Sequence, residues 1–303
     1  MPSVSDVENI IDTWLETLQS RGLETVEVSF FGGSFTGIPM EEQKKYLQVA
    51  YAYKTSGRID KIHMSTRPDY ISREILDMLK EYTVDTIELG VQSFDDDVLT
   101  QCRRGHTADD VYAACDLIKE YGMELGIQLM IGLPGDTKEK AVLSAEKAAK
   151  IGPSLARLYP TVVLPDTELA EMLKDGRYTP LDESETIEIT KEMYKILMAA
   201  GINIMRVGLK STDLVTSDTD LAGSYHPAFR QIVEGEICRE QMLDLLGSAN
   251  SRAKIQFLSN EKWFPPMIGH KACNKKFFSE RFPDIEFEYA KAPALKDGVI
   301  SIL

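Results

Sequence analysis

The sequence predicts an α/β fold in which parallel strands and crossover helices form an incomplete (βα) barrel, followed by a small α+β extension. Apolar, β-branched runs alternate with helical patterns in units of roughly 25 to 45 residues, which is typical of parallel strands joined by helices. Each run is nearly apolar throughout, as expected of strands that are covered on both faces. With 303 residues, the chain is long enough for a barrel-sized domain and an appendage.

The elements follow one another in a regular order. Apolar residues from Val4 to Leu18 recur at helical spacing, so the chain opens with an amphipathic helix that we expect to end near Gly22. Strands are predicted at residues 26–31, 59–65, 84–91, 125–132, 155–164 and 202–209. Helices are predicted at residues 41–53, 72–81, 138–150 and 184–200, together with one that begins at Thr107 with a capping box to Asp110 and stops at Tyr121-Gly122. We place the barrel at residues 1–211 and the α+β extension at residues 212–303, where this rhythm changes and a helix is predicted around residues 265–281.

Composition excludes several classes of protein. The chain is 43% apolar and 27% charged, lacks an apolar stretch of about twenty residues, and begins without the layout of a signal peptide. We therefore expect a cytoplasmic protein with no membrane partner. The net charge of −14 argues against a general polyanion binder, but residues 251–276 contain six Lys or Arg against one acid, Glu261, which predicts a local basic face.

The ends of the first two strands offer candidate binding groups, because the chemistry of such barrels gathers at the carboxyl ends of strands. In FFGGSFTG, residues 30–37, the glycine pair would let a ligand lie against the backbone, although a tight turn explains it as well. The next strand ends in STRPD, which places Ser65 and Arg67 over the rim. A solvated arginine is the alternative for Arg67.

Polar side chains also interrupt the next two strands. Glu88 and Gln92 lie within or just after an apolar run, and Gln128 is the one amide of an otherwise aliphatic strand that closes with a GLPG turn. Each needs a partner when buried, and either a ligand or a structural hydrogen bond can supply it. One polar residue on successive strand ends favours a binding rim.

These motifs resemble, in order, those of the radical S-adenosylmethionine (radical SAM) enzymes. The resemblance covers about residues 4–230 and is strongest to the branch of the Elongator catalytic subunit, with the oxygen-independent coproporphyrinogen oxidases more distant. It rests on FFGGSFTG, STRPD, IELGVQSFDDDVL, RRGHT, LMIGLPGDT, LYPTVVLPDTELAEMLKDGRYTP and NIMRVGL. It implies a TIM-type radical SAM barrel that binds S-adenosylmethionine (SAM).

The resemblance also implies roles for individual residues. Gly32 and Gly33 match the glycine motif whose backbone receives the amino group of SAM, with Ser34 where many relatives have an acid or Thr. Ser65 and Gln128 match ribose-contacting positions that are acidic in the coproporphyrinogen oxidases, and Gln92 and Arg104 match positions around the methionine carboxylate. Gly132-Leu133-Pro134 corresponds to the segment beside adenine.

One feature of that family has no counterpart in the sequence. Its members bind a 4Fe-4S cluster through C-x3-C-x2-C, placed upstream of the glycine motif, and an electron from a donor such as flavodoxin or ferredoxin then splits SAM into a 5'-deoxyadenosyl radical. The four cysteines here, at 102, 115, 238 and 273, fit no iron-sulfur, zinc or redox spacing and are expected to be buried thiols.

Two explanations remain open for this difference. The chain is either a cluster-free relative or a protein that begins at an internal Met, with roughly 45 to 60 further residues upstream in the natural form. The second is favoured, because an opening helix without its preceding strand leaves the strand at 26–31 as an unpaired apolar edge.

The C-terminal extension contains the basic segment KIQFLSNEKWFPPMIGHKACNKKFF. Its loop at Ile268–Lys271, which opens a basic helix, resembles the loop by which KH domains clamp a nucleic-acid backbone, although Ala272 stands near the place of the usual second glycine. A solvated basic helix is the alternative, and His226 is more typical of a helix start than of a substrate contact. The predicted RNA or substrate contacts are Arg67, Arg206, His270, Lys271, Lys275 and Lys276.

The resemblance thus predicts a radical SAM enzyme that modifies a nucleoside or tRNA. The alternative is a cluster-free barrel that binds SAM, a nucleoside or RNA without radical catalysis. An ordinary barrel lyase or hydrolase would need an acid–base pair or a metal cluster at the rim, for which only the scattered Glu88 and His106 are candidates.

Overall fold

The computed structural model describes residues 2–18, 25–210, 222–248 and 254–303, and the chain divides into two compact units. The first unit consists of Met1–Arg157 and Ile196–Met205, and the second of Leu158–Lys195 and Arg206–Leu303. The boundary placed between residues 211 and 212 coincides with neither border and remains a prediction about domains. The expected end of the first helix near Gly22 lies outside the described residues.

Six parallel strands form a curled half-barrel in the order β1-β2-β3-β4-β5-β7, so the predicted incomplete (βα) barrel is confirmed. Each strand lies within two residues of a predicted start, and the register pairs Ser65 of β2 with Glu88 of β3. A two-residue strand, β6, follows β5. The strands are β1 Glu27–Phe30, β2 Lys61–Thr66, β3 Thr86–Gln92, β4 Glu124–Ile131, β5 Leu155–Pro160, β6 Val162–Val163 and β7 Asn203–Val207.

Helices connect these strands and begin at the caps that the sequence indicates. The hydroxyl of Thr107 accepts from the backbone of Asp110, and the Asp110 carboxylate accepts from the backbone of Thr107, which confirms the capping box. No helix in the described part of the chain is long and apolar enough to cross a membrane. The helices are α1 Val4–Leu18, α2 Met40–Thr55, α3 Arg73–Glu81, α4 Asp96–Gln101, α5 Ala108–Glu120, α6 Lys138–Ile151, α7 Glu168–Lys174 and α8 Glu183–Ala199.

Strands β2 and β3 are apolar on only one face. Ile62, Met64, Ile87 and Leu89 are fully buried and alternate with polar side chains along β2 and β3. Successive residues of a strand point to opposite faces, so the polar residues share the inner face of the curled sheet. The expectation of strands that are apolar on both faces was therefore wrong for this inner face.

The second unit contains a three-stranded sheet in the order β10-β9-β11, in which β9 and β10 are parallel and β11 is antiparallel to β9. The helix expected near residues 265–281 is two helices, because the chain between them turns through three residues with positive φ: Gly269, Lys271 and Ala272. The elements are β8 Ala222–Gly223, α9 Phe229–Ser248, β9 Lys254–Ser259, α10 Phe264–Ile268, α11 Cys273–Arg281, β10 Glu286–Lys291 and β11 Ser301–Ile302.

Candidate cofactor-binding site

The glycine pair lies exposed just beyond the carboxyl end of β1. Gly32 has a φ of +106°, and a Cβ built at either Gly32 or Gly33 would meet no atom within 4 Å. The pair lines a cleft of ≈ 500 Å³ together with apolar residues of α1 and α2. The space where a side chain would project is therefore empty, which leaves room for a ligand to lie against the backbone of the pair.

Ser65 joins the end of β2 to this pair, because its hydroxyl lies 3.4 Å from the carbonyl oxygen of Gly33. Arg67, two residues further on, is held in a fork by Asp69, with Nε 2.9 Å from Oδ1 and Nη2 2.6 Å from Oδ2. Of the two rim residues expected on this strand, only Ser65 contacts the glycine pair directly.

Gln92 and Gln128 meet at the ends of β3 and β4. The Nε2 of Gln128 donates to Oε1 of Gln92 at 3.2 Å. Gln92 has a φ of +67°, where the register of β3 against β4 shifts. A non-glycine residue in this left-handed region costs on the order of 1 kcal/mol and is common at binding sites. The bulge turns the Gln92 amide toward its neighbours at the rim.

Arg104 completes this group. Its Nη2 donates to the carbonyl oxygen of Gly90 at 3.3 Å, and its Nε is buried without a hydrogen-bond partner among the described residues. A Cβ at Gly90 would lie 2.9 Å from Nε2 of Gln92 and 3.5 Å from Nη2 of Arg104, so the glycine makes room for both. Burial, together with the charge of Arg67, lowers the pKa of Arg104. A carboxylate is the ligand that would relieve this desolvated guanidinium.

The turn after β4 is fixed by Asp136. Its Oδ2 accepts from the backbone N–H of Gly132 at 3.0 Å, and its Oδ1 accepts from Thr137 at 3.0 Å. Burial raises the pKa of Asp136 to about 6, against the opposing effect of these backbone hydrogen bonds. Gly132-Leu133-Pro134 thus forms a defined wall beside the strand end.

The structure therefore brings together most of the predicted cofactor residues. One contact joins Gly33 to Ser65. In a second group, Gln92 and Arg104 lie beside Gly90, and Gln128 contacts Gln92. Glu88 and His106, the candidates for an ordinary hydrolase, do not meet as an acid–base pair at the rim. Glu88 is buried in an ion pair within the sheet, and His106 is buried with Nε2 3.2 Å from the carbonyl oxygen of Val91.

Sequence reasoning missed three side chains on the inner face: Phe31, His63 and Arg157. Two of them flank the buried Glu88, with Nε of Arg157 2.9 Å and Nε2 of His63 3.6 Å from Oε2 of Glu88. The guanidinium of Arg157 lies 4.5 Å from the centroid of the Phe31 ring. The alternation of polar residues along β1, β2 and β5 was the available signal.

The cysteines do not fit an iron-sulfur cluster. Cys115 and Cys238 are buried, as expected, whereas Cys102 is partly exposed and Cys273 is exposed. Burial raises the pKa of Cys102 to about 11 and that of Cys115 to about 12, which disfavours the thiolate that binds iron. No group of three or more potential metal ligands occurs within the described residues.

The basic loop of the second unit lies between α10 and α11. We define it as residues 269–272 together with Lys275 and Lys276 on the following helix. The side chains of Lys271, Lys275 and Lys276 are exposed. Nδ2 of the fully buried Asn274 lies 2.9–3.3 Å from the carbonyl oxygens of Gly235, Pro266 and Met267, which anchors the loop.

The predicted RNA contacts in the second unit have different surroundings. His270 lies with Nδ1 3.2 Å from Oε1 of Gln231 and edge-on to His226. Nδ1 of His226 accepts from the backbone of Ala228 just before α9, as expected of a residue at a helix start. Arg206 is exposed on β7.

The six parallel strands and the polar side chains at their ends define this chain as a (βα)-barrel protein, and comparisons with known proteins identify its class. Residues 3–148 match the radical SAM superfamily, and residues 153–239 match the radical SAM C-terminal domain. The chain belongs to the radical SAM superfamily.

Several curated proteins are similar to part of the chain. The tRNA uridine(34) acetyltransferase of Dehalococcoides mccartyi is 28% identical over 242 residues, which cover 73% of this chain and 52% of the relative. The corresponding enzyme of Methanocaldococcus jannaschii is 29% identical over 197 residues, or 58% of this chain and 36% of the relative. The heme chaperone HemW of Bacillus subtilis is 31% identical over 216 residues, or 67% and 56%. The chain thus spans about a third to a half of the length of the acetyltransferases that it matches.

A solved structure has the same fold. The archaeal Elp3 of Methanocaldococcus infernus, with its N-terminal residues 1–46 deleted, aligns with a TM-score of 0.68 at 24% identity. The alignment covers 78% of this chain and 59% of that one.

Proposed function

We propose that this chain binds SAM at the carboxyl rim of its half-barrel. The backbone of Gly32 and Gly33, with Ser34 beside them, receives the amino group, and Arg104 with Gln92 receives the methionine carboxylate. Ser65 and Gln128 lie on the ribose side, and the turn at Gly132-Leu133-Pro134 lies beside adenine. These roles follow from the family resemblance and are supported by the contacts that group the residues at one rim.

The single observation that carries this proposal is the exposed glycine pair. Its backbone has free space where any side chain would project, and Ser65 contacts it from the neighbouring strand. The desolvated Arg104, with a buried Nε that lacks a partner among the described residues, supplies the opposite charge for a carboxylate. An amino group and a carboxylate are the two ends of the methionine moiety of SAM.

A nucleoside within tRNA is the proposed substrate. The relatives named tRNA uridine(34) acetyltransferase favour this class, whereas a heme chaperone has similar identity, so similarity alone does not select the substrate. The basic loop with Lys271, Lys275 and Lys276 supports RNA, because it concentrates positive charge in a chain of net charge −14. Arg67, Arg206 and His270 are further proposed contacts.

The finer proposal is reductive cleavage of SAM to a 5'-deoxyadenosyl radical, with flavodoxin or ferredoxin as electron donor. This reaction requires a 4Fe-4S cluster, and the thiols of this chain do not fit one. The second candidate is a barrel that binds SAM, a nucleoside or RNA without radical catalysis, a function that needs no thiol ligands beyond those of this chain.

One experiment separates the two candidates. The protein, together with any residues encoded in frame upstream of Met1, is incubated anaerobically with iron and sulfide, reduced with dithionite or flavodoxin, and assayed for 5'-deoxyadenosine, while SAM binding is measured by calorimetry on the same sample. Binding with 5'-deoxyadenosine formation supports the radical enzyme, and binding without it supports the binding protein. Absence of SAM binding contradicts both.

A further inference from the structure

Four titratable side chains, which we call the charged chain, cross the inner face of the half-barrel. They are Glu27, His63, Glu88 and Arg157. Nδ1 of His63 lies 3.3 Å from Glu27, and Nε2 of His63 lies 3.6 Å from Glu88. Glu88 in turn pairs with Nε of Arg157 at 2.9 Å. The side chains of His63 and Glu88 are each 1% exposed, so two members are almost completely removed from water.

The charged chain spans β4, because that strand contributes no side chain at the point where the charged chain crosses it. Gly126 of β4 is paired with Glu88 of β3, and Arg157 comes from β5 on the other side of β4. A Cβ at Gly126 would lie 2.5 Å from Cδ1 of Leu155 and 3.1 Å from Cγ of Glu88. Neighbouring strands are about 4.8 Å apart, so Arg157 must reach across two strand spacings, and the glycine leaves the room.

General stability is a poor explanation for this arrangement. Burial raises the pKa of Glu88, although Arg157 and His63 both act to lower it. Removing paired charges from water costs about as much as their attraction returns, and apolar residues of similar size often stabilise a core more. Conformational specificity is the better-attested use of such a group.

The charged chain contacts the aromatic ring of Phe31 through two of its members. The guanidinium of Arg157 lies 4.5 Å from its ring centroid, and His63 meets the ring edge-on at 5.0 Å. Phe31 is 45% exposed, yet it lies on the polar inner face and directly precedes Gly32. The preceding Phe30 points to the opposite face and packs against Phe35 at 4.9 Å.

We propose that Glu88 and Arg157 are positioning residues for the glycine pair: Glu88 fixes Arg157, Arg157 fixes the Phe31 ring, and the ring fixes the backbone of Gly32 and Gly33. The backbone that enters the glycine pair is thus held from both faces. The apolar core holds it through Phe30, and the charged chain holds it through Phe31. This role rests on the proposed binding of SAM at the pair.

The first test does not depend on a ligand. 4-Fluorophenylalanine is placed at position 31, and its ¹⁹F resonance is compared in wild type, Arg157→Met, Arg157→Lys and Glu88→Gln. In wild type, we expect the ¹⁹F resonance to differ from that of a solvent-exposed 4-fluorophenylalanine. The resonance should shift toward the solvent-exposed value in Arg157→Met and Glu88→Gln. Arg157→Lys should recover part of the wild-type difference, because it keeps a cation near the ring. Lys54→Met is the control, because it removes a half-buried ion pair with Asp85 at the start of β3 without contacting Phe31. An unchanged resonance in Arg157→Met overturns the proposal.

The second test is a double-mutant cycle on SAM affinity. Arg157→Met and Phe31→Leu should each weaken binding about tenfold, and the double variant should be no weaker than either, because both substitutions break one linkage. Additive losses, or an equal loss in Lys54→Met, contradict the positioning role. If wild type binds no SAM, the proposed function fails, and the ¹⁹F comparison still decides whether the charged chain fixes Phe31.

Discussion

The amide of Gln128 on β4 donates to the side-chain oxygen of Gln92 on β3 at 3.2 Å. This contact joins two residues that the sequence suggested separately, each as a polar group in an otherwise apolar strand. Gln92 makes this contact from a left-handed backbone conformation, at the position where the register of β3 against β4 shifts. The strained residue therefore joins two strand ends at the candidate site while it remains paired with Leu129 in the sheet.

Gly90→Ala should disturb this site without unfolding the protein. The new Cβ would lie 2.9 Å from Nε2 of Gln92 and 3.5 Å from Nη2 of Arg104, and both atoms are ends of flexible side chains that can move. We expect SAM affinity, measured by calorimetry, to fall about tenfold, with a change in unfolding free energy below about 1 kcal/mol. Unchanged affinity would show that Gln92 and Arg104 do not form the site.

Arg104 should recognise the carboxylate of SAM. Wild type is expected to prefer SAM to decarboxylated SAM by about tenfold to a hundredfold, as for a charge-assisted hydrogen bond, and Arg104→Met should remove this preference. Competition binding of the two ligands measures it. The neighbouring exposed Arg103→Met serves as the control. A preference that survives in Arg104→Met would assign the carboxylate to another group.

The turn after β4 should give stability a pH dependence. Because the pKa of Asp136 is raised from 3.8 to about 6 by burial, the protonated acid stabilises the fold. That contribution is complete below about pH 4 and is lost as the pH rises through about 6. Relative to Asp136→Asn, the unfolding free energy of wild type should fall on the order of 2 kcal/mol between pH 4 and pH 7 in urea titrations. A difference that does not vary with pH would contradict this assignment.

The basic loop should determine RNA affinity. Changing Lys271, Lys275 and Lys276 to Glu should abolish tRNA binding in fluorescence anisotropy and lower the salt dependence of the remaining affinity, while SAM binding persists. A triple variant with the same charge change, Lys44→Glu, Lys45→Glu and Lys150→Glu, uses exposed or partly exposed lysines of the first unit. Equal losses in the two variants would indicate a non-specific effect of net charge.

The sequence was sufficient for the strands and for most of the rim. Apolar runs located strands β1 to β5, and caps such as Thr107 located the helices between them. Polar residues at strand ends indicated Ser65, Gln92 and Gln128. These features are local, so periodicity and residue type reveal them.

Long-range packing explains what was missed. His63 and Arg157 appear as isolated polar residues in apolar runs, and only the strand order places both beside Glu88. The role of Gly126 depends on a contact between its two neighbouring strands. Gly269 indicated a loop before the basic helix, but the left-handed conformations of Lys271 and Ala272 were missed because their residue types do not predict them.

Calorimetric titration of SAM into wild type, Gly33→Ala and Gly247→Ala tests the central claim most directly. A Cβ at Gly33 or at Gly247 meets no atom within 4 Å, and neither residue has a positive φ, so both variants should unfold within about 2 °C of wild type. The account predicts that wild type and Gly247→Ala bind SAM equally, and that Gly33→Ala binds at least about tenfold more weakly because its methyl group occupies the ligand's place on the backbone. Equal affinity in all three proteins, or no binding by wild type, would contradict it.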